Sequence, residues 1–212
     1  MKVLLVNGSP HKEGCTYTAL SEVAAALNKE GIETEMFWIG NRPIGGCIAC
    51  KACVKLGQCV FDDVVNICRK KAYEADGFIF GTPVHYAGAS GNMTAFMDRL
   101  FYSEANGNGN QAFRLKPAAA VLSARRAGTT AAFDQMNKYF TIQEMPVVSA
   151  RYWNMVHGAK AEEVQQDKEG LFNMRVLAAN MAYLLRCKEA GARAGIALPP
   201  QEPPVFTNFV RS

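Results

Sequence analysis

The 212-residue sequence lacks the features that would place a protein in a membrane or on nucleic acid. No stretch approaches the roughly 18 apolar residues that a membrane span needs, and the apolar run after Met1 is too short for a signal-peptide core. The 23 basic and 19 acidic residues are scattered, so no basic stripe with interleaved aromatic residues marks a nucleic-acid surface. We therefore expect a cytoplasmic protein that has neither a membrane nor a nucleic acid as a partner.

The sequence has the size and composition of one globular domain. Its 49% hydrophobic and 20% charged residues argue against a disordered chain. A chain of this length favours one compact domain and buries enough surface to fold without a disulfide or a metal. We predict that domain over residues 1–190. The proline-rich segment 191–212 is predicted to be an extended C-terminal arm.

Short apolar runs alternate with amphipathic stretches along the domain. The apolar runs predict five buried strands, at residues 2–7, 33–39, 77–81, 118–122 and 146–149. The amphipathic stretches predict five helices: about 16–30, a second that Asp62 caps and that ends near 75, and three whose stripes cover 93–101, 130–141 and 171–185. Residues 107–110 are predicted to be a surface loop. The alternation is typical of a parallel sheet with helices on both faces, in which ligands bind at the carboxyl ends of the strands.

The loop after the first strand, residues 8–18, leads directly into a helix. It contains neither the Walker lysine pattern nor a dinucleotide Gly-x-Gly-x-x-Gly turn. Its hydroxyl side chains lie beside a helix N-terminus, whose free N–H groups and positive dipole end attract anions. This combination is typical of a phosphomonoester site. A serine- and threonine-rich helix cap without a ligand explains the same residues.

Two later loops carry features that suit a flat or anionic ligand. The loop after the third strand, residues 82–91, is rich in small residues that allow close backbone approach, and Tyr86 offers a stacking face. The loop after the fourth strand, residues 123–129, places Arg125 and Arg126 beside a glycine, where either cation can stabilise negative charge on a ligand. An ordinary βα turn and solvated surface arginines are the alternatives.

Four of the seven cysteines, Cys47, Cys50, Cys53 and Cys59, fall within 13 residues after the second strand. In a reducing compartment such a cluster indicates metal or redox chemistry rather than structural disulfides. Four thiolates at this spacing fit a [4Fe–4S] cluster. Zinc also accepts four cysteines, although structural zinc sites usually divide them into two separated pairs. A loop that binds no metal and only shapes a substrate site is the third possibility.

Together these loops resemble the NAD(P)H-dependent FMN reductase superfamily. Three segments match. They are residues 8–18 after the first strand, residues 81–86 at the end of the third strand, and residues 90–99, which enter the next helix. The chain resembles most narrowly the iron-sulfur flavoproteins, which carry a compact cysteine motif after strand two. Residues 152–155 and the pair His157-Gly158 are also similar to that subgroup.

The resemblance implies an α/β flavodoxin-like fold, a doubly wound five-stranded parallel sheet of order 2-1-3-4-5 with helices on both faces. It implies FMN as cofactor, NAD(P)H as co-substrate, and the four cysteines as ligands of a possible [4Fe–4S] cluster. The residues that it places around the FMN phosphate are Ser9, His11, Cys15, Thr16 and Thr18. Those that it places along the isoalloxazine are Pro83, Val84, His85, Tyr86 and Gly88. Those that contact the ring or the ribityl chain are Ser123, Arg125 and Gly128.

The expected function is that of an FMN-dependent oxidoreductase in which the flavin, not a catalytic side chain, carries the chemistry. Electrons from NAD(P)H would pass to a small acceptor such as a quinone, to a redox protein or to the iron-sulfur cluster. A flavodoxin-like electron carrier without substrate turnover and a cysteine-based redox sensor are the alternatives. We also expect a homodimer or homotetramer, because one sheet face does not need all the apolar surface of Phe96, Phe101, Tyr102, Trp153 and Met155.

Overall fold

The computed structural model of the chain describes residues 1–207 and 209. One parallel sheet with helices on both faces makes up the fold. The strands are β1 (Lys2–Asn7), β2 (Glu33–Trp38), β3 (Gly77–His85), β4 (Gly88–Ala89), β5 (Ala118–Ala124) and β6 (Met155–His157). The helices are α1 (Cys15–Lys29), α2 (Cys53–Leu56), α3 (Val64–Glu74), α4 (Gly91–Asn108), α5 (Thr129–Ile142), α6 (Ala161–Val164) and α7 (Lys168–Arg193).

The strand order is the one that the resemblance implies. Five parallel strands follow each other as β2-β1-β3-β5-β6, and β4 pairs only with β3, as the antiparallel half of a small hairpin. Counted without β4, this is the order 2-1-3-4-5 of a flavodoxin-like sheet. The switch in strand order lies between β1 and β3, where the first βα loop and the β3 loop meet.

Alternate residues of each central strand pack on opposite faces of the sheet. Leu4 and Val6 face the layer of α3, α4 and α5, where Phe80 and other aromatic residues pack in one apolar cluster. Val3 and Leu5 face the layer of α1 and α7. Because both faces are covered, the central strands consist of continuous apolar runs, as parallel sheets require.

The predicted position of the fifth strand is wrong. In the segment 146–149, Val147 forms only an isolated bridge to Ala118, and the edge strand is Met155–His157. The chain touches the start of β5 through backbone hydrogen bonds, leaves the sheet, and returns to pair with the end of β5 from Leu122 onward. A three-residue strand is too short to give a periodic signal.

Three local boundaries also differ from the prediction. Asp63, not Asp62, caps α3 by accepting the Val65 N–H at 3.0 Å. Helix α4 continues through Asn108, so half of the predicted surface loop at 107–110 is helical. Strand β3 continues past Pro83 to His85, because the hairpin with β4 extends it beyond the parallel sheet.

The apolar residues from which we expected an oligomer are mostly buried in the chain itself. Phe96, Phe101 and Met155 are at most 9% exposed, whereas Tyr102 and Trp153 are 40% and 48% exposed. Of these five residues, only Tyr102 and Trp153 are exposed enough to contact another subunit. The apolar surface from which we predicted an oligomer is therefore much smaller than expected. The oligomeric state itself stays a prediction.

Residues 196–207 form no helix or strand, and Arg114 Nη1 donates a hydrogen bond to the Pro199 carbonyl at 3.0 Å. Among the helices of the described residues, none has the length and apolar character to cross a membrane.

Candidate functional site

An open cavity of about 320 Å³ lies at the carboxyl edge of the sheet. It brings together the loops after β1, β3 and β5 that the sequence singled out, and it adds the loop after β6. The lining residues are Ser9, His11, Cys15, Thr16, Pro83, Val84, His85, Ser123, Ala124, Arg125, Gly158 and Ala159. Four of the predicted cofactor-binding residues, Thr18, Tyr86, Gly88 and Gly128, are not among them.

The loop after β1 is held in shape by its own side chains. Asn7, completely buried at the end of β1, accepts the Ser9 N–H at 3.1 Å and donates to the Lys12 carbonyl at 3.0 Å. Ser9 Oγ accepts the His11 N–H at 3.1 Å, and Trp38 donates from Nε1 to the Ser9 carbonyl at 2.8 Å. Asn7 and Trp38 were not predicted as site residues. A polar side chain at the buried end of an apolar strand is the signal that identifies Asn7.

The N-terminus of α1 points at this cavity without a cap. Gly14 is the N-cap residue, no side chain caps the helix, and its first turn contains no acidic residue. Thr16 Oγ1 lies 2.8 Å from Ser123 Oγ, which joins the first turn of α1 to the end of β5. A Cβ on Gly81 would lie 2.9 Å from Thr16 Cγ2, so the glycine of β3 allows this helix end to approach the sheet. The open N–H groups, the dipole and the hydroxyls suit a phosphomonoester.

Two predicted phosphate residues, Cys15 and Thr18, make hydrogen bonds to backbone carbonyls of the protein. The Cys15 thiol donates to the Gly158 carbonyl at 3.5 Å, and burial raises the pKa of this thiol, so it stays protonated at neutral pH. Thr18 Oγ1 donates to the Gly14 carbonyl at 3.2 Å, one turn back along the helix. Cys15 therefore ties the loop after β6 to α1, and Thr18 lies outside the cavity lining.

The end of β3 forms one wall of the cavity. Pro83, Val84 and His85 line it, and the hairpin turn that follows places Tyr86 in the left-handed region at φ +57°. The Tyr86 side chain is fully exposed at the tip of the hairpin. A left-handed tyrosine is uncommon and often marks a functional segment. Arg125, also exposed, lines the opposite wall, whereas Arg126 does not.

The four clustered cysteines line a second, much smaller cavity of about 20 Å³. Three residues of α4, Arg99, Tyr102 and Ser103, line it as well. Asn92, near the start of α4, binds the backbone of residues 42 and 44, and Asn108, at its end, donates to the Gly57 carbonyl at 2.6 Å. The loop thus runs along the length of this helix.

The backbone around the cysteines is tightly shaped. Ala49 and Lys51 both adopt positive φ, +53° and +56°, on either side of Cys50. Asn66 accepts the Cys59 N–H at 3.1 Å and donates to the Cys59 carbonyl at 2.9 Å. A Cβ on Gly107 would lie 2.7 Å from the Cys53 carbonyl, so α2 docks on α4 at a position where only glycine fits.

Arg99, from the middle of α4, is the cation of this second cavity. Its Nε donates to Cys59 Sγ at 3.2 Å, and its Nη atoms donate to Asp63 at 2.8 and 2.9 Å. Burial by itself would lower the pKa of Arg99, but the hydrogen bonds to Asp63 and Cys59 outweigh it and the pKa is raised. Burial raises the pKa of Cys53, and the nearby Cys50 and Cys47 add to the effect. Arg99 was not predicted as a site residue; its signal in the sequence is a charge inside an apolar helix stripe.

The donor chemistry of the second cavity fits an iron-sulfur cluster, but the thiols are not in the positions of an assembled site. Within residues 1–207 and 209, no three histidine, cysteine or acidic side chains are close enough to hold one ion. The volume between the cysteines accommodates about one water molecule. Cys47 and Cys50 are exposed, and they lie in loop segments without a helix or strand. A cluster would therefore require the loop to open locally around four soft ligands that already face one space.

Comparison with known proteins finds an FMN reductase family and relatives named iron-sulfur flavoproteins. The family described as NADPH-dependent FMN reductase matches residues 1–160. An iron-sulfur flavoprotein of Methanocaldococcus jannaschii is 33% identical over 88% of this chain and 98% of its own length. A second iron-sulfur flavoprotein of that organism is 30% identical over 82% of this chain and 92% of its own length.

Solved structures support the fold. RosB, solved with the bound intermediate 8-demethyl-8-formylriboflavin-5′-phosphate, has a TM-score of 0.69 at 18% identity, over 100% of this chain and 96% of its own. A flavodoxin from the domain Archaea has a TM-score of 0.58 at 13% identity, over 88% of this chain and 99% of its own. At these identities the likeness concerns the flavodoxin-like fold alone. The match over residues 1–160 shows that the chain belongs to the NADPH-dependent FMN reductase family, and its relatives include proteins named iron-sulfur flavoproteins.

Proposed function

We propose that the chain is an FMN-dependent oxidoreductase that takes electrons from NAD(P)H and passes them to a second acceptor. The observation that carries the proposal is the 320 Å³ cavity in front of the uncapped N-terminus of α1. FMN has both a phosphomonoester for that helix end and a flat ring for the space beyond it. The bound flavin would supply the hydride and electron chemistry, and the chain would bind, orient and shield it.

The phosphate would lie at the first turn of α1. The backbone N–H groups of the loop and the Thr16 hydroxyl would donate to its oxygens, while Asn7 and Ser9 hold the loop in the receiving conformation. His11, exposed at the rim, would add a donor from the solvent side. The helix dipole favours the negative charge, so no lysine is needed there.

The ring would lie toward the end of β3. Pro83, Val84 and His85 would form the wall along one edge of the ring, and Ser123 and Arg125 would contact the ring or the ribityl chain from the β5 side. Gly158, beside the Cys15 thiol, would close the floor of this space. Tyr86, Gly88, Gly128 and Thr18 lie outside the lining of the cavity and stay predicted contacts of the cofactor.

The cysteine loop would bind a [4Fe–4S] cluster that accepts electrons from the flavin. The support is the set of four cysteines in one cavity, the hydrogen bond from Arg99 to Cys59, and the names of the relatives. Zinc and a loop without metal stay open as alternatives. An exposed cluster of this kind would be sensitive to oxygen, so aerobic preparations are a poor test. A cytoplasmic location would be consistent with this proposal. The cytoplasm is a reducing compartment, and every cysteine of the chain is a free thiol.

One anaerobic preparation tests the proposal. The flavin absorption bands, together with iron and sulfide assays, would identify both cofactors, and NAD(P)H oxidation with a free quinone would establish turnover. FMN and turnover without iron would leave the flavin enzyme standing and remove the cluster. A preparation without flavin would overturn the whole proposal.

An electron carrier without substrate turnover is the second candidate. The likeness to an archaeal flavodoxin structure concerns only the fold, and the formal charge of +4 is unlike the acidic surface that is usual for flavodoxins. A cysteine-based redox sensor is the third candidate. Steady-state NAD(P)H oxidation with quinone separates the enzyme from both, since neither a carrier nor a sensor would turn over these two substrates.

A further inference from the structure

Arg99 is a buried cation whose side-chain hydrogen bonds all go to the cysteine loop and the start of α3. Its side chain is 1% exposed, and every N–H of its guanidinium group has an acceptor. Two N–H groups bind the Asp63 carboxylate, and two others bind the carbonyls of Gly45 and Phe61 at 3.3 and 3.2 Å. The Nε–H, which remains, donates to Cys59 Sγ at 3.2 Å.

An ion pair that served only to hold two helices together would not need this last contact. Asp63 binds both terminal nitrogens, which fixes the plane of the guanidinium group and turns Nε toward the sulfur. The Phe61 ring covers the group at 4.9 Å from its centroid, so little water reaches it. The result is a fixed N–H and a positive charge directed at one of the four candidate ligands.

We propose that Arg99 is a positioning residue that sets the reduction potential of the cluster held by this loop. The inference rests on the proposed function, because it needs the cysteines to bind a cluster. On reduction the cluster gains one electron from the reduced flavin, and no covalent bond forms or breaks. The added negative charge would be stabilised by the Arg99 Nε–H, which donates to Cys59 Sγ, and by the positive charge of the guanidinium group. Hydrogen bonds to sulfur and net charge both tune the potentials of such clusters.

The proposal predicts shifts of the reduction potential with opposite signs when either partner of the Arg99–Asp63 ion pair is neutralised. Arg99→Gln removes the positive charge, so reduction becomes harder and the potential falls. Asp63→Asn leaves Arg99 in place but removes the carboxylate that neutralises it, so reduction becomes easier and the potential rises. Asparagine is as good a helix cap as aspartate, so α3 keeps its N-terminal hydrogen bond.

The experiment is a redox titration of anaerobically purified protein, with iron and sulfide measured on each sample. We expect the Arg99→Gln cluster to be harder to reduce by about tenfold or more, which is about 59 mV for one electron. We expect a shift of opposite sign in Asp63→Asn. Arg175→Gln is the matched control: Arg175 makes a 2.6 Å ion pair with Glu22 between α7 and α1, on the opposite face of the sheet from α4, and its loss should leave the potential unchanged.

The outcomes are distinguishable. A wild-type potential in iron-loaded Arg99→Gln would overturn this inference, and so would shifts of the same sign in both variants, which indicate a loosened loop. If Arg99→Gln fails to fold, Asp63→Asn decides alone: a raised potential supports the role and an unchanged one removes it. Absence of iron from anaerobic wild type would instead remove the cluster, and this inference with it.

Discussion

The Thr16 and Ser123 hydroxyls lie 2.8 Å apart, and the two residues are 1% and 2% exposed. The first belongs to α1 and the second to β5, so a single hydrogen bond joins the first turn of the helix to the end of the strand at the edge of the cavity. Each hydroxyl keeps hydrogen-bonding capacity for a further partner. The two residues therefore hold the cavity together and present polar atoms to what enters it.

The first prediction concerns the affinity for FMN. The double variant Ser9→Ala with Thr16→Ala loses the Thr16 hydroxyl, whose bond to the charged phosphate is worth about 1.5–3 kcal/mol, and the Ser9 hydroxyl, which accepts the His11 N–H and holds the loop. We expect FMN to bind at least about a hundredfold more weakly, by fluorescence titration of the apoprotein. Thr18→Ala is the control, because its hydroxyl binds the Gly14 carbonyl within α1. Equal affinities in the folded double variant and wild type would rule out this loop as the phosphate site.

The second prediction separates the two cavities. A methyl group at Gly107 would meet the Cys53 carbonyl at 2.7 Å and the Gly57 Cα at 2.8 Å, so Gly107→Ala pushes α2 away from α4. We expect this variant to lose most of its iron while it retains FMN. Gly91→Ala, on the same helix, is the control because its Cβ would meet nothing within 4 Å. Full iron content in Gly107→Ala would show that docking of α2 does not matter for the metal site.

The third prediction concerns Lys116 and pH. Burial lowers the pKa of this lysine to about 8, although its Nζ donates to the Ala72 carbonyl at 2.9 Å. Between pH 8 and about 10 the unfolded chain therefore binds more protons at this residue than the folded chain does. That difference makes its contribution to the free energy of unfolding rise with pH in this range.

Lys116→Met should remove this rise. The measurement is chemical denaturation at several pH values for wild type, Lys116→Met and, as control, Lys70→Met, which changes an exposed lysine. All other titrating groups are common to the three proteins and cancel in the comparison. Identical pH slopes in wild type and Lys116→Met would contradict the shifted pKa.

The fourth prediction concerns assembly. We expect a homodimer or homotetramer by light scattering at micromolar concentration. Of the five apolar residues from which we predict an assembly, Trp153 and Tyr102 are exposed, and aromatic residues are enriched at interfaces. Trp153→Ala should weaken the assembly, whereas Tyr183→Ala, exposed on α7, is the comparison. A monomer of about the chain mass of 23.1 kDa would show the expectation to be wrong.

The parts of the fold that the sequence predicted are those with strong local patterns. Strand β1 and helix α1 follow from an apolar run and a helical stripe, and the loop between them follows from its turn residues. The strand Met155–His157 could not be predicted, because three residues carry no period and its pairing with Leu122 is a long-range contact. The sequence instead predicts a strand at 146–149, where two valines are adjacent.

In the candidate site as well, local sequence patterns predict some residues, whereas the roles of others depend on distant contacts. Residues of the first βα loop could be predicted as site residues because several chemical signals coincide in one short segment, and four of them line the cavity. Asn7 and Arg99 were not, since the role of each depends on partners far away in the sequence or on the conformation of a loop. The position of the cysteines along α4 was also beyond prediction, because their loop has no period that would indicate what it packs against.

Helix α4 leads from the β3–β4 hairpin to Arg99, which lines the cysteine cavity. It begins at Gly91, close to the end of β3 where the flavin would lie, and Arg99 comes eight residues later, about 12 Å further along the axis. A hydride moves only between groups in contact, whereas a single electron can tunnel across packed protein over such a distance. At this separation, single electrons could pass from the flavin to the cysteine loop. Hydride transfer would be possible only at the flavin itself.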